Sequence, residues 1–276
     1  MKVLFADLPE SIKNITEIVD KVEVFTLNRD VLLPAFDIPD EFINPEDNKD
    51  GGKTPQFVVI ERNLQYLSNI EKSDVDAIIV VSEFMRNRVQ QLTNEKLVDT
   101  PIIIFPNVVD SDIFSPKDIK VNGAPVIGWV GKLDDHKDWR TFMQISQKIS
   151  LNNPEVEFWI IGGQTCPENQ VQEVFDFAEE MGIISRFRWI DRIENLNMPS
   201  LYSLIAKRGG LCLVTSKAES FGMSIVESLL CGCPVLSSNV GAIPEINKKT
   251  QGIRLYNYGD VSNAVNLCLE MLENNE

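Results

Sequence analysis

Short apolar runs alternate with longer amphipathic segments along this chain, and the alternation happens twice. In the first pass, residues 3–6, 22–27, 57–60, 77–81 and 102–105 read as strands. Helices are predicted at 11–21, 64–72 and 83–92, the last opened by Ser82, a residue type that caps helices. Residues 37–56, rich in Asp, Glu, Pro, Asn and Gly, read as a long loop. Asn107-Val108-Val109-Asp110 then reads as a crossing segment, after which the pattern restarts. Strands are predicted at 126–130, 158–161, 187–190, 211–214 and 235–237, and helices at 139–150, 169–182, 199–207, 223–231 and 262–273. Continuous apolar strands interleaved with helices mean parallel sheet covered on both faces. The chain is therefore expected to be α/β, with two Rossmann-like, doubly wound parallel-sheet domains at 1–108 and 109–276 and a boundary near 107–118.

Charge and cysteine usage narrow the function classes. The 276 residues carry 41 acids against 26 bases, a net charge of −15 that is spread along both halves. Such a chain is a poor general binder of nucleic acid or anionic lipid. The five cysteines form no Cys-x-x-Cys pair, and His136 is the single histidine, which argues against a cysteine/histidine zinc site. Reduced, buried cysteines of a cytoplasmic protein are the expectation. The apolar run at the N-terminus is too short for a signal peptide. No segment approaches the ~20 apolar residues of a membrane span.

Two loops carry the chemistry. Gly128-Trp129-Val130-Gly131-Lys132-Leu133-Asp134-Asp135-His136-Lys137-Asp138 follows a strand and precedes a helix, the strand edge where parallel sheets bind ligands. Taken singly, Lys132 and Lys137 would be solvated surface residues. Together on one turn they suffice to neutralise a diphosphate without a metal. The second loop runs Glu219-Ser220-Phe221-Gly222-Met223-Ser224-Ile225-Val226-Glu227. Its first acid lies on a loop and its second on the following helix. The helix start offers unpaired N–H groups and a positive dipole end to a phosphate. The two carboxylates are suited to accept from sugar hydroxyls on either side. Gly222 is expected in a conformation closed to other residues, and Gly232 with Pro234 should stop the helix.

These residues resemble the retaining nucleotide-sugar glycosyltransferases of the GT-B fold (glycosyltransferase family 4-like, glycosyl transferases group 1). The resemblance rests on Gly131-Lys132-Leu133 with Lys137, on Gly162-Gly163, and above all on Glu219 to Met223 with Glu227. Cys231-Gly232-Cys233-Pro234-Val235, Val240-Gly241-Ala242-Ile243-Pro244-Glu245, Asn107 to Asp110 with Phe114, and Val81-Ser82-Glu83-Phe84 extend it over about residues 77–275. It implies two domains facing across a cleft, with the donor held by the second. Lys132, where the family usually has arginine, and Lys137 would face the donor diphosphate. Glu219 would contact donor-sugar hydroxyls; Lys132, Lys137 and Glu219 are thus the catalytic candidates. Gly131, Ser220, Phe221, Gly222 and Met223 would line the donor, Glu227 would hold the ribose, and Arg192 would flank the base. The implied reaction moves a sugar from a UDP-, GDP- or ADP-linked donor to a glycan, lipid or protein acceptor, with no metal or other cofactor.

The first half departs from the family. The place of its Gly-rich turn reads Phe5-Ala6-Asp7-Leu8-Pro9-Glu10, no histidine stands in the first domain, and that domain is short. The resemblance implies further helices that cross back to brace the two domains, and after the helix ending near Glu273 these are expected to be missing. Acceptor-side candidates are Asp7, Glu61, Arg62, Ser82 and Arg86, each by residue type also a surface or capping residue. The alternative is a non-catalytic nucleotide-sugar-binding relative or a subunit of a larger enzyme; an oligomer or partner subunit fits either reading. A nicotinamide oxidoreductase lacks its Gly-x-Gly-x-x-Gly here, and a DNA-modifying sugar transferase lacks a basic stripe.

Overall fold

The computed structural model describes residues 23–25, 57–60, 64, 77–92, 99–163 and 166–274. The elements expected at 3–6 and 11–21, most of that at 64–72, the loop at 37–56, and Asp7, Glu61 and Arg62 lie outside the described residues. The chain divides into two compact units, Met1–Asn107 and Val108–Glu276.

Among the described residues, the first unit contains a sheet of four strands in the order β1 (Glu23–Phe25), β2 (Phe57–Ile60), β3 (Ala77–Val80), β4 (Ile102–Ile104). β2, β3 and β4 run parallel, with Phe57 opposite Ala77 and Ile78 opposite Ile102. β1 pairs antiparallel with β2, Glu23 opposite Val59, which departs from the all-parallel expectation. An edge strand has one neighbour to satisfy, and a reversed edge on a parallel sheet is a common solution. β3 is buried along its whole length, as its unbroken Ala-Ile-Ile-Val run requires. Helix α1 (Glu83–Leu92) starts where its cap predicts: Ser82 Oγ accepts from the Met85 amide at 3.2 Å. Met85 and Val89, four apart, form its buried stripe.

The second unit is a six-stranded sheet, all parallel. Its strands are β5 (Val126–Val130), β6 (Glu157–Ile161), β7 (Phe187–Ile190), β8 (Leu211–Val214), β9 (Val235–Ser238) and β10 (Ile253–Tyr256). The spatial order is β10-β9-β8-β5-β6-β7. The chain starts at β5 in the middle, walks outward through β6 and β7, then returns to the other flank of β5 with β8. That reversal between β5 and β8 is the topological switch point, where ligands bind in open α/β sheets. The helices are α2 (Trp139–Asn152), α3 (Glu168–Glu180), α4 (Met198–Lys207), α5 (Met223–Leu230), α6 (Ile243–Asn247) and α7 (Val261–Glu273).

The period of two along each strand sorts its side chains into two cores. Ile127, Trp129, Phe158, Ile160, Leu211, Leu213 and Leu236 face one layer with Phe142 of α2 and Cys268 of α7. Their neighbours Val126, Trp159, Ile161, Cys212 and Val235 face the other, with Tyr202 of α4 and Ile225 of α5. Phe114, on the segment that opens this unit, is buried in that second core. Strand β10 and helix α6 went unread in the sequence. β10 is four residues with an arginine inside, following a polar stretch, and α6 is a single proline-started turn and a half, too short for a periodic signal.

Candidate functional site

The loops that leave β5 and β8 meet at the switch point. The two strands pair only through Ile127–Leu211 and Gly128–Cys212, so their C-terminal ends diverge. A buried hydroxyl spans the gap. Thr215, fully buried, accepts from Trp129 Nε1 at 2.9 Å, and its Oγ1 lies 2.9 Å from the carbonyls of both Lys137 and Asp138. The Lys217 amide donates to the His136 carbonyl at 2.8 Å, a second tie between the same loops.

Across this junction Lys137 Nζ forms an ion pair with Glu219 Oε1. The pair is sheltered, with side-chain exposure of 16% for the lysine and 7% for the glutamate. The same carboxylate oxygen accepts from Ser216 Oγ at 2.7 Å, and the Ser216 carbonyl accepts from Ser238 Oγ of β9 at 2.7 Å. Lys137 is held from its own side by Asp134, whose Oδ1 accepts from the Lys137 amide at 2.8 Å. The next residue, Asp138, caps α2 in the left-handed region with φ 54°. Its carboxylate accepts from Thr141 Oγ1 at 2.8 Å and from Tyr258 Oη at 2.7 Å. Those bonds favour a side chain in a conformation that Asp tolerates better than most residues.

Backbone contact fixes the Glu219 loop from the far side. Gly241, at φ 58°, lies so close that a Cβ there would stand 2.0 Å from the Glu219 carbonyl oxygen. The Ala242 amide donates to that carbonyl at 2.9 Å. Gly222 adopts φ 95°, as its place in the motif predicts, and its carbonyl accepts from the Ile225 amide as α5 begins.

Glu227 sits one turn into α5, half-buried, and Tyr202 Oη of α4 donates to its Oε2 at 3.1 Å. Burial raises the Glu227 carboxyl above the usual carboxylate range, and the tyrosine hydrogen bond opposes part of that rise. Burial also raises the Tyr202 phenol well above its ordinary value, with the nearby Cys212 and Glu227 adding to it. A neutral tyrosine is thereby kept as a donor to the glutamate.

The structure brings Lys137 and Glu219 into contact, places Gly131 and Gly222 on the loops around them, and makes Met223 the first residue of α5. Gly131 donates its amide to the Ile161 carbonyl at 3.0 Å. Ser220 and Phe221 are half-buried between Glu219 and α5. Lys132 is exposed on the β5 turn, and Arg192 is exposed after β7 in an ion pair with Glu194 at 2.7 Å. On the first unit, Ser82 caps α1, and Arg86 pairs with Glu83 of the same helix. Trp129, Thr215, Ser216, Tyr202 and Gly241 were not singled out as site residues from the sequence. Thr215-Ser216, directly after a buried strand, were the legible signal; the reach of Tyr202 to Glu227 from another helix was not. Among the described residues no helix is long and apolar enough to cross a membrane.

Comparison with known proteins matches the second unit most fully. Residues 110–276 fit the family model described as glycosyl transferases group 1. The chain is 28% identical over 182 residues to one subunit of the phosphatidylinositol N-acetylglucosaminyltransferase of Homo sapiens, covering 65% of this chain and 35% of that protein. It is 26% identical over 142 residues to 2-deoxystreptamine N-acetyl-D-glucosaminyltransferase of Streptomyces fradiae, covering 51% of this chain and 32% of that one. The match thus spans about a third of the length of these curated relatives. Among solved structures, sucrose-phosphate synthase from Thermosynechococcus elongatus superposes with a TM-score of 0.63 at 19% identity, over 73% of this chain and 50% of that one. HepE from Anabaena, solved in complex with UDP-glucose, gives 0.64 at 17% identity, over 78% and 62%. These likenesses establish Rossmann-like α/β units of the GT-B class. With its second unit matched nearly end to end, the chain belongs to the glycosyl transferases group 1 family.

Proposed function

We propose that this chain binds a nucleotide diphosphate sugar at the β5–β8 switch point and transfers the sugar to an acceptor hydroxyl, keeping the anomeric configuration and using no metal ion. The observation that carries this reading is the sheltered Lys137–Glu219 pair at the diverging ends of β5 and β8. It puts one cation and one hydroxyl acceptor side by side, next to the start of α5, inside the segment that matches the family. Lys137, with the exposed Lys132, would meet the diphosphate; amides at the start of α5 would add donors to it. Glu219 would accept from sugar hydroxyls, and Glu227, steadied by Tyr202, from the ribose. Gly131, Ser220, Phe221 and Met223 would line the donor, with Arg192 beside the base.

In the transfer, the bond from the anomeric carbon to the diphosphate oxygen breaks and the electron pair leaves with the diphosphate. The acceptor oxygen bonds to the same face of that carbon, and its proton passes to the departing phosphate oxygen. Lysines placed where the negative charge grows lower the barrier; removing one such group typically costs about 100- to 1,000-fold in rate.

The test is release of nucleoside diphosphate from UDP-, GDP- and ADP-sugars, in a chelator, by the wild-type chain and by Lys137→Ala. Chelator-insensitive release that Lys137→Ala abolishes supports the reading. Failure of calorimetry to detect any of the three nucleoside diphosphates would overturn it. The human relative bears the name of one component of an enzyme. That name favours a second reading, in which the chain is the donor-binding component of a larger glycosyltransferase. Binding without release separates it from the first.

A further inference from the structure

Lys137 and Glu219 are each other's partners in this structure, yet the proposed function assigns them to different parts of one ligand. A diphosphate brought to Lys137 places a second anion on a single ammonium. If the ammonium turns to the phosphate, Glu219 is left with Ser216 Oγ as its donor, at 2.7 Å, in a position only 7% exposed. If it stays, two anions share it at close range. Either way the carboxylate opposes the diphosphate, because a sheltered charge that loses its partner is costly. A sugar on the diphosphate changes the balance: its hydroxyls donate to Glu219 and replace what the lysine withdrew.

We propose that the Lys137–Glu219 pair makes this site select the nucleotide sugar over the bare nucleoside diphosphate. Glu219 is then a specificity-determining residue as well as a sugar contact. The surrounding bonds suit it to that role. Ser216, after β8, donates to the carboxylate and is itself held by Ser238 of β9; Gly241 and Ala242 hold the Glu219 backbone, and Thr215 fixes the lysine's carbonyl. The two charges therefore stay opposite each other instead of drifting into solvent. After transfer, the bare diphosphate has lost the hydroxyls that offset Glu219, and re-formation of the ion pair drives it out.

This inference rests on the phosphate-site reading of Lys137, and the test separates the two. Uridine, guanosine and adenosine diphosphates are titrated by calorimetry into the wild-type chain, Glu219→Gln, Glu219→Ala and Lys137→Ala, each first shown to be folded by its melting curve. The tightest binder is then compared with its glucose-linked form. The expected result is about tenfold tighter binding of the bare diphosphate by both Glu219 variants. The preference for the glucose-linked form should shrink by at least about tenfold in both, because the hydroxyl acceptor is lost as well. If Lys137→Ala binds the diphosphate weakly while both Glu219 variants bind it no tighter than wild type, the selection is overturned and the phosphate-site reading stands. If Lys137→Ala binds as tightly as wild type, both are overturned.

Discussion

Trp129 Nε1 donates to Thr215 Oγ1 at 2.9 Å, and through that hydroxyl the centre of the sheet is bonded to the turn that carries Lys137. Thr215→Val keeps the shape and removes the hydroxyl. It leaves the Trp129 N–H without its acceptor and the Lys137 and Asp138 carbonyls without this donor. The expected loss is about 2–3 kcal/mol of stability. A fall in donor turnover of about tenfold or more should accompany it, because positioned groups lose rate steeply when displaced. Thr215→Ser, which restores the hydroxyl, should recover most of both. Melting curves and single-turnover release of nucleoside diphosphate read the two effects; equal defects in the valine and serine variants would deny the hydroxyl this role.

Tyr202 and Glu227 make a pH-dependent pair. Removing the donor in Tyr202→Phe leaves burial unopposed, so the Glu227 carboxyl rises further. The charged form that accepts from hydroxyls then disappears at a higher pH. Nucleoside diphosphate binding should weaken about three- to tenfold at neutral pH, the loss of one charge-assisted bond. It should weaken more steeply as the pH is lowered toward about 5. Calorimetry across pH checks both, and a pH-independent defect would count against the pairing.

Glu157 should govern stability in acid. Burial alone would raise its carboxyl, but hydrogen bonds from Arg208, Trp159 and Arg188 outweigh that and hold it at about 2. Because the folded pKa lies below the unfolded one, its contribution is present above about pH 4.5 and fades as the pH falls toward about 2. Glu157→Gln should lower the melting temperature at neutral pH, by the equivalent of about 2 kcal/mol, and the gap to wild type should close in acid. Glu227 works in the opposite sense. Its raised pKa means that its contribution is greatest in acid and declines as the pH rises past 4.5 through the raised value.

Gly241→Ala should be severe. A Cβ at φ 58° would stand 2.0 Å from the Glu219 carbonyl oxygen, backbone that has no room to yield. A cost of about 2–4 kcal/mol is expected, from strain and clash together. The Glu219 loop should shift with it, so thermal stability and diphosphate affinity should fall together. An alanine variant with wild-type melting would show that the loop rearranges freely.

Much of this molecule was legible because its central strands, β3, β5, β6, β8 and β9, are buried on both faces. Runs such as Val126–Val130 and Leu211–Val214 have almost no solvated position, so their bounds follow from the apolar run itself. Helix α1 was legible for a different reason, since Ser82 marks its start chemically. Lys137 and Glu219 were legible as a motif, yet nothing in their spacing of 82 positions says that they touch. That contact exists because the strand order puts β8 beside β5, a long-range fact. Tyr202 and Trp129 were hidden for the same reason: each looks like ordinary core, and only the fold shows which polar atom its ring carries to the site. Strand β1 was read within 22–27, but its antiparallel direction was not, because three residues carry no signal of direction.

The loops around the switch point are stitched to one another by amide-to-carbonyl bonds: Gly131 to Ile161, Gly162 to Ile190, Lys217 to His136, and Ala242 to Glu219. Such stitching is indifferent to what most side chains are. Exchanges at exposed positions such as 132, 192 or 217 are expected to leave the scaffold standing, so a lineage built on it is free to explore new ligands one residue at a time without first relearning how to fold.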